Sequence, residues 1–240
     1  ALNYAYEQMN KEWEREHQEA NHYDSNLHKA ENKVIIEYIY HILRKDQEDA
    51  SKNPLSIYGL EADREIPLPI EGVGVIRIGG TIDRLDLIGE GTNKKMRVID
   101  YKSGVYKDDT HKKKMSATWE NLMTDENKGY VRQTMMYSYA VEQSLKVESQ
   151  KLKVESQELK VEPHLYFCSK DLLSDKMNTS IELEGETISD FKILSDTFKE
   201  QLTAKAKELL TTTDFPQCEE NECPSFCEFF KLCNRKPNEF

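Results

Sequence analysis

What this 240-residue chain lacks narrows it first. No apolar run approaches the length of a membrane span, and no charged-then-apolar leader stands at its start. The expectation is therefore a soluble, cytoplasmic protein, with Ala1 in place of Met suggesting a piece cut from a longer chain. Positive charge is also in deficit: 33 lysines and arginines face 44 aspartates and glutamates, a net charge of -11, which argues against a cationic coat for indiscriminate nucleic-acid binding. Cysteine is absent before Cys168, and four of the five cysteines fall in the final segment. The length suits one large domain with a sizeable core, and no second domain is required.

Against that acidic background, the run His111-Lys112-Lys113-Lys114, preceded by Lys102 and Lys107, is locally basic. It could carry a phosphate backbone, or it could be a solvated loop. Apolar spacing predicts a helix over 2–20 with one modest face, and a second over 32–43 whose Val34, Ile35, Tyr38, Ile39, Ile42 and Leu43 are expected on the core. Asn53-Pro54 ends it. Strands are expected within 56–69, 73–79, 81–88 and 96–102, separated by glycines and polar turns, as an antiparallel run joining a mixed sheet. A long helix is expected over about 128–144, with Val131, Met135, Tyr139 and Ala140 facing the core.

The chain then repeats itself. Leu-Lys-Val-Glu-Ser-Gln recurs from Leu145 and Leu152, and Leu159-Lys-Val-Glu162 begins a third copy. A leucine and valine two apart fit neither a coiled-coil seam nor a sustained strand. The expectation is a tandem insertion, as helix extension or mobile loop, with no catalytic duty, ahead of a strand over 164–168. A short strand over 181–184, a capping box at Thr187 to Asp190, and a core helix carrying Phe191, Leu194, Phe198, Leu202, Ala206 and Leu209 complete the reading.

Chemistry concentrates at Gly80-Thr81-Ile82-Asp83-Arg84-Leu85-Asp86 and Val98-Ile99-Asp100-Tyr101-Lys102-Ser103-Gly104. Strand side chains alternate, so Asp100 and Lys102 share one face while Ile99 and Tyr101 share the other. An acid and a base at the end of an otherwise apolar strand need compensation, which a divalent cation and a phosphate would supply. Arg84 and Asp86 are expected to pair with each other or with DNA rather than to bind metal, since Asp86 faces away from Asp83. Gln133 and Tyr137 sit four apart on one helix face.

Gly80-x-x-Asp83-Arg84-x-Asp86, Ile99-Asp100-Tyr101-Lys102-Ser103-Gly104 and Gln133-x-x-x-Tyr137, in series, resemble the PD-(D/E)XK nuclease superfamily, and within it the RecB/AddB-like exonuclease branch. The resemblance implies an α/β fold: a restriction-endonuclease-like core, its mixed β-sheet flanked by helices, with an N-terminal helical arm and a Cys-rich C-terminal tail. The boundaries expected are a helical arm over 1–50, a catalytic core over 55–144, the heptad-repeat insertion over 145–162, a completing strand and helix over 163–211, and the tail over 212–240. It implies Asp83 and Asp100 as ligands of Mg2+ or Mn2+, and Lys102 beside the attacking water. Glu61 matches the position of a further acid, with Glu65 its neighbour and competitor. Gln133 and Tyr137 match residues that hold the active site and the DNA backbone. His28 could be an upstream metal-binding histidine or a plain surface residue.

Cys218, Cys223, Cys227 and Cys233 resemble the tail cysteines that hold a [4Fe-4S] cluster in that branch, although the spacing departs from it and no cysteine precedes the core. An iron-sulfur cluster, Zn2+ and a metal-free tail all remain open. Cys168 reads as a buried strand thiol. The function implied is Mg2+-dependent DNA hydrolysis, exonucleolytic and on single strands or ends, in repair beside helicase domains upstream in the chain or in a partner subunit. The rival is a nuclease-fold module that binds DNA or a helicase without cutting. A structural domain built around the cysteines alone would leave the carboxylate pair and the lysine without a purpose.

Overall fold

A computed structural model describes residues 7, 8, 11, 25–103, 115–152, 159–168 and 179–214. The elements run α1 (Ser25–Lys52), β1 (Leu55–Ile70), β2 (Gly74–Ile88), β3 (Lys95–Lys102), β4 (Ser116–Ala117), α2 (Gly129–Leu152), β5 (Lys160–Phe167), β6 (Glu182–Leu183), β7 (Glu186–Thr187) and α3 (Ser195–Thr211). Of the expected helix over 2–20 only residues 7, 8 and 11 are described, as helix, and the lysine run at 107–114 and the four tail cysteines lie outside the described residues.

The main sheet has the order β1-β2-β3-β5. β1, β2 and β3 are successively antiparallel, and β5 joins parallel to β3. A parallel neighbour requires a crossover, which is what α2 provides. The sheet is mixed, as expected. β4, β6 and β7 make a second, small sheet.

One glycine explains why the strands expected over 73–79 and 81–88 are one strand. At Gly79 (φ 129°) a Cβ would stand 1.9 Å from the Arg64 carbonyl oxygen, so only glycine lets β2 pass β1 there without breaking. β1 and β2 therefore pair along nearly their whole length, apart from a register shift at Ile57/Gly59.

One face of the sheet holds the apolar core. Val98, Met96 and Leu85 from the sheet meet Val131, Met135 and Ala140 of α2, all buried, together with Leu165 and Phe167 of β5. α2 supplies the core residues the sequence predicts, Tyr139 among them. At its far side the Phe198 ring of α3 stands 5.5 Å from Phe191 and 6.0 Å from Tyr139. The stripe of α3 stops short of expectation, because Leu209 is exposed near the end of the helix. Its entry also differs: Thr187 belongs to β7, and Asp190 caps the 3-10 turn Phe191–Leu194 by accepting from the Lys192 N–H at 3.1 Å.

α1 is longer than its apolar spacing suggests and does not bury that stripe: Val34, Ile35 and Leu43 are exposed. The reason lies in what the sheet offers. Its second face presents Arg84 and Arg97, so α1 docks through Asp46 and Asp49. Three cations (Lys45, Arg84, Arg97) and three carboxylates (Asp46, Asp49, Asp86) form one continuous ion network there.

The repeat changes state along its length. Leu145-Lys146-Val147-Glu148 lies in α2 with Val147 exposed, whereas the same four residue types at 159–162 lead into β5 with Val161 1% exposed. The insertion expected between helix and strand is thus partly both: Leu145 to Leu152 belongs to the helix and Lys160 to Glu162 to the strand. Val161 pairs with Met96 of β3, and that burial overrides local preference. Residues 153–158 lie outside the described residues.

Candidate active site

The alternation that the sequence predicts places two acids and a lysine on the α2 side of the sheet. β2 and β3 pair Arg84 with Ile99 and Leu85 with Val98, so the next step along both strands sets Asp83 beside Asp100. Asp83 Oδ2 accepts the Tyr101 main-chain N–H at 2.6 Å, and the Lys102 ammonium lies 2.6 Å from Asp100 Oδ2. The second contact is an ion pair without an aligned hydrogen bond, so this buried oxygen keeps an unsatisfied acceptor.

Burial is the main force that pushes the Asp100 carboxyl above the ordinary carboxylate range. Lys102 opposes it, and the Asp83 charge adds to it. Two carboxylates crowded together, one of them buried with an open acceptor, form the hard-oxygen donor set that a small divalent cation takes beside its own waters. The residues present therefore fit Mg2+ or Mn2+, and Asp83 and Asp100 are the carboxylates that could hold it.

The α2 signature joins this group. Lys102 Nζ donates to Gln133 Oε1 at 3.1 Å, and Gln133 Nε2 donates to the Tyr137 hydroxyl oxygen at 2.9 Å. The amide orientation is dictated, because an ammonium only donates and must face the carbonyl oxygen. Tyr137, accepting from Gln133, keeps its own O–H for another acceptor. Gly80 makes room for this tyrosine: a Cβ at Gly80 (φ 150°) would lie 3.3 Å from Tyr137 Cε1. The three sequence motifs, far apart in the chain, thus meet at one place. Sequence reasoning passed over Tyr130, whose ring centroid is 4.7 Å from Lys102 Nζ. Its position three residues before Gln133, on the same helix face, was the available signal.

On the opposite face of the same strands, Arg84 donates to Asp46 at 2.7 and 3.0 Å, to Asp86 at 2.8 Å and to the Tyr101 hydroxyl at 3.3 Å. Arg97 spans Asp86 (2.7 and 2.9 Å) and Asp49 (2.6 Å). Burial works against ionisation of Asp49, yet Lys45 and Arg97 outweigh it and hold its carboxyl below the ordinary value. Arg84 and Asp86 pair with each other, as the sequence predicts, and are committed to this network behind the site. Asp46 and Asp49 escaped notice because their arginine partners on the sheet lie 38 and 48 residues away and leave no local pattern.

Glu61 stands opposite Asp83 in the β1–β2 register, between the pairs Leu60–Arg84 and Ala62–Ile82. It is exposed, with its backbone at φ 47°, in the left-handed region a side chain rarely adopts. It does not join Asp83 and Asp100 in a three-ligand group, and no group of three His, Cys, Asp or Glu converges among the described residues. Its competitor Glu65 is tied to Arg77 at 2.8 Å. His28 belongs to the first turn of α1, and its side chain lies outside those described. Cys218, Cys223, Cys227 and Cys233 lie outside the described residues, while Cys168 is buried at the end of β5.

A search of curated proteins gave no match to the chain. A family model does match, over residues 2–234, and it is that of the PD-(D/E)XK nuclease superfamily. The mixed sheet flanked by helices agrees with the restriction-endonuclease-like fold. With the acid–x–lysine pair at the end of β3 and an aspartate across from it on β2, the chain belongs to the PD-(D/E)XK nuclease superfamily.

Proposed function

We propose that the chain is a divalent-metal-dependent deoxyribonuclease that hydrolyses DNA phosphodiester bonds, working as an exonuclease on single strands or ends. The observation that carries this reading is the unbroken chain of contacts from Asp100 through Lys102 and Gln133 to Tyr137, with Asp83 beside it on the same sheet face.

Asp83 and Asp100 would hold Mg2+ or Mn2+, which when bound supplies a water of lowered pKa and neutralises charge on the phosphate. Lys102 is a compact cation at the mouth of this pair, suited to a phosphate oxygen as negative charge grows on it. Gln133 takes up one direction of the ammonium and leaves the others for Asp100 and substrate. Tyr137 braces the amide and offers its own O–H to a phosphate. Glu61, on the neighbouring strand, would add an acid at the rim. The exonucleolytic mode, a place in DNA repair, a RecB/AddB-like affiliation and a helicase partner rest on the sequence resemblance. So does the reading of the tail cysteines as ligands of a [4Fe-4S] cluster, while Zn2+ is the alternative their clustering offers. An anaerobic purification with an absorption spectrum and metal analysis tests that assignment.

The central experiment is degradation of end-labelled single-stranded DNA with and without Mg2+ or Mn2+. Cation-dependent loss of label by the wild type, with Asp100→Ala and Lys102→Ala inert, is the expected result. DNA binding without cutting under every cation would overturn the proposal in favour of a silent binding module.

A further inference from the structure

Among the described residues, the Lys102 ammonium is met on three sides, and only two are explained by the acid–x–lysine pair and the Gln-x-x-x-Tyr signature. Asp100 Oδ2 lies at 2.6 Å and Gln133 Oε1 at 3.1 Å, while the third side is the face of the Tyr130 ring, with its centroid at 4.7 Å. We propose that Tyr130 is a positioning residue for Lys102, its ring face completing a three-sided seat that aims the ammonium at the phosphate. This rests on the nuclease reading above and adds a residue to that same site.

A lysine stem has four rotatable bonds, and an ammonium is a point charge with no planar fork to orient it. One carboxylate and one amide oxygen define a plane and leave the head free to swing out of it. An aromatic face closes that freedom, because its negative quadrupole attracts the cation within about 6 Å of the centroid. The ring is itself fixed: it packs on the core and tilts against the buried Phe167 ring at 6.0 Å, at the end of the strand beside β3. Tyr130, Gln133 and Tyr137 stand at i, i+3 and i+7 on α2, so one helix face delivers ring, amide and phenol in a row. The Gln-x-x-x-Tyr pair is thereby extended by one turn towards the helix start.

A ring that merely fills space and a ring that seats a cation respond differently to substitution. Tyr130→Phe keeps the face and is expected to cut DNA within about twofold of wild type. Tyr130→Leu keeps apolar volume without the face and is expected to lower kcat about tenfold with KM for DNA unchanged. Phenylalanines of increasing fluorine content at position 130 hold the shape while draining the ring's negative face. They should lower kcat stepwise, and they serve if the leucine variant does not fold. An NMR readout independent of cutting is the ring-current displacement of the Lys102 Cε protons, present in wild type and Tyr130→Phe and absent in Tyr130→Leu. Equal loss in the Phe and Leu variants, a flat fluorine series, or a Lys102 signal unmoved by Tyr130→Leu would overturn the proposal. If the wild type cuts no DNA, the nuclease reading fails, and the Lys102 signal alone decides whether Tyr130 seats the ammonium.

Discussion

Asp83 and Tyr101 are joined side chain to main chain: the Asp83 carboxylate accepts the Tyr101 N–H at 2.6 Å, one residue beyond Asp100. The bond ties the middle of β2 to the end of β3 at the point where their paired register stops. It holds two negative groups close together, and the fold bears that repulsion for the sake of the site.

The cost appears in the pH dependence of stability. Burial raises the folded pKa of Asp100 above its ordinary 3.8, aided by Asp83 and opposed by Lys102. A carboxyl raised in the folded state destabilises the fold once ionised; the penalty is absent below 3.8, grows as pH climbs towards the folded value, and is complete above it. Asp100→Asn should therefore melt higher than wild type at neutral pH and no higher in acid below 3.8. Mg2+ should raise the Tm of wild type and leave that of the variant unchanged. Calorimetric scans across pH, with and without cation, check both.

Behind the site, Arg97 bridges two carboxylates of the ion network, Asp86 and Asp49. Arg97→Met should cost about 3–5 kcal/mol in a urea titration at neutral pH. Asp49 is held below its ordinary 3.8, so its contribution is present above that value and disappears as pH falls through the folded one. The gap between wild type and variant should narrow in acid. A gap that stays constant down to acid unfolding would contradict this account of Asp49.

Glu61 combines an unfavourable backbone with a place across from Asp83. Glu61→Gly should gain up to about 1 kcal/mol of stability by removing a Cβ from a left-handed position. If the acid serves the rim of the site, the same change should slow cutting about tenfold, the order expected of a supporting carboxylate. Stability gained with cutting untouched would remove Glu61 from the site.

Gly80→Ala should act on Tyr137 and also strain β2, because Gly80 holds a positive φ of 150°. The new methyl, 3.3 Å from the ring edge, displaces the phenol and through it the Gln133 amide. Cutting should fall while Asp83 and Asp100 still bind Mn2+ with wild-type affinity in a calorimetric titration. Loss of Mn2+ binding would mean that the glycine supports the carboxylates directly.

The parts legible in the sequence were those governed by short spacing. Asp100 and Lys102 share a face because strands alternate, and Gln133 and Tyr137 because helices return every four residues. Long-range pairing was not legible. Nothing near Asp46 or Asp49 marks a partner on β2 or β3, so α1 read as an apolar helix on the core when it docks by charge. The Gly79-Gly80 pair read as a break because glycine ends strands as often as it lets one strand slip past another. The repeat misled for a further reason: one tetrapeptide satisfies two backbone states, and only β3 selects between them.

That last ambivalence bears on how this chain can vary. Because each unit opens with the same four residues, loss or duplication of a whole unit during replication of its gene would offer β3 an identical partner segment.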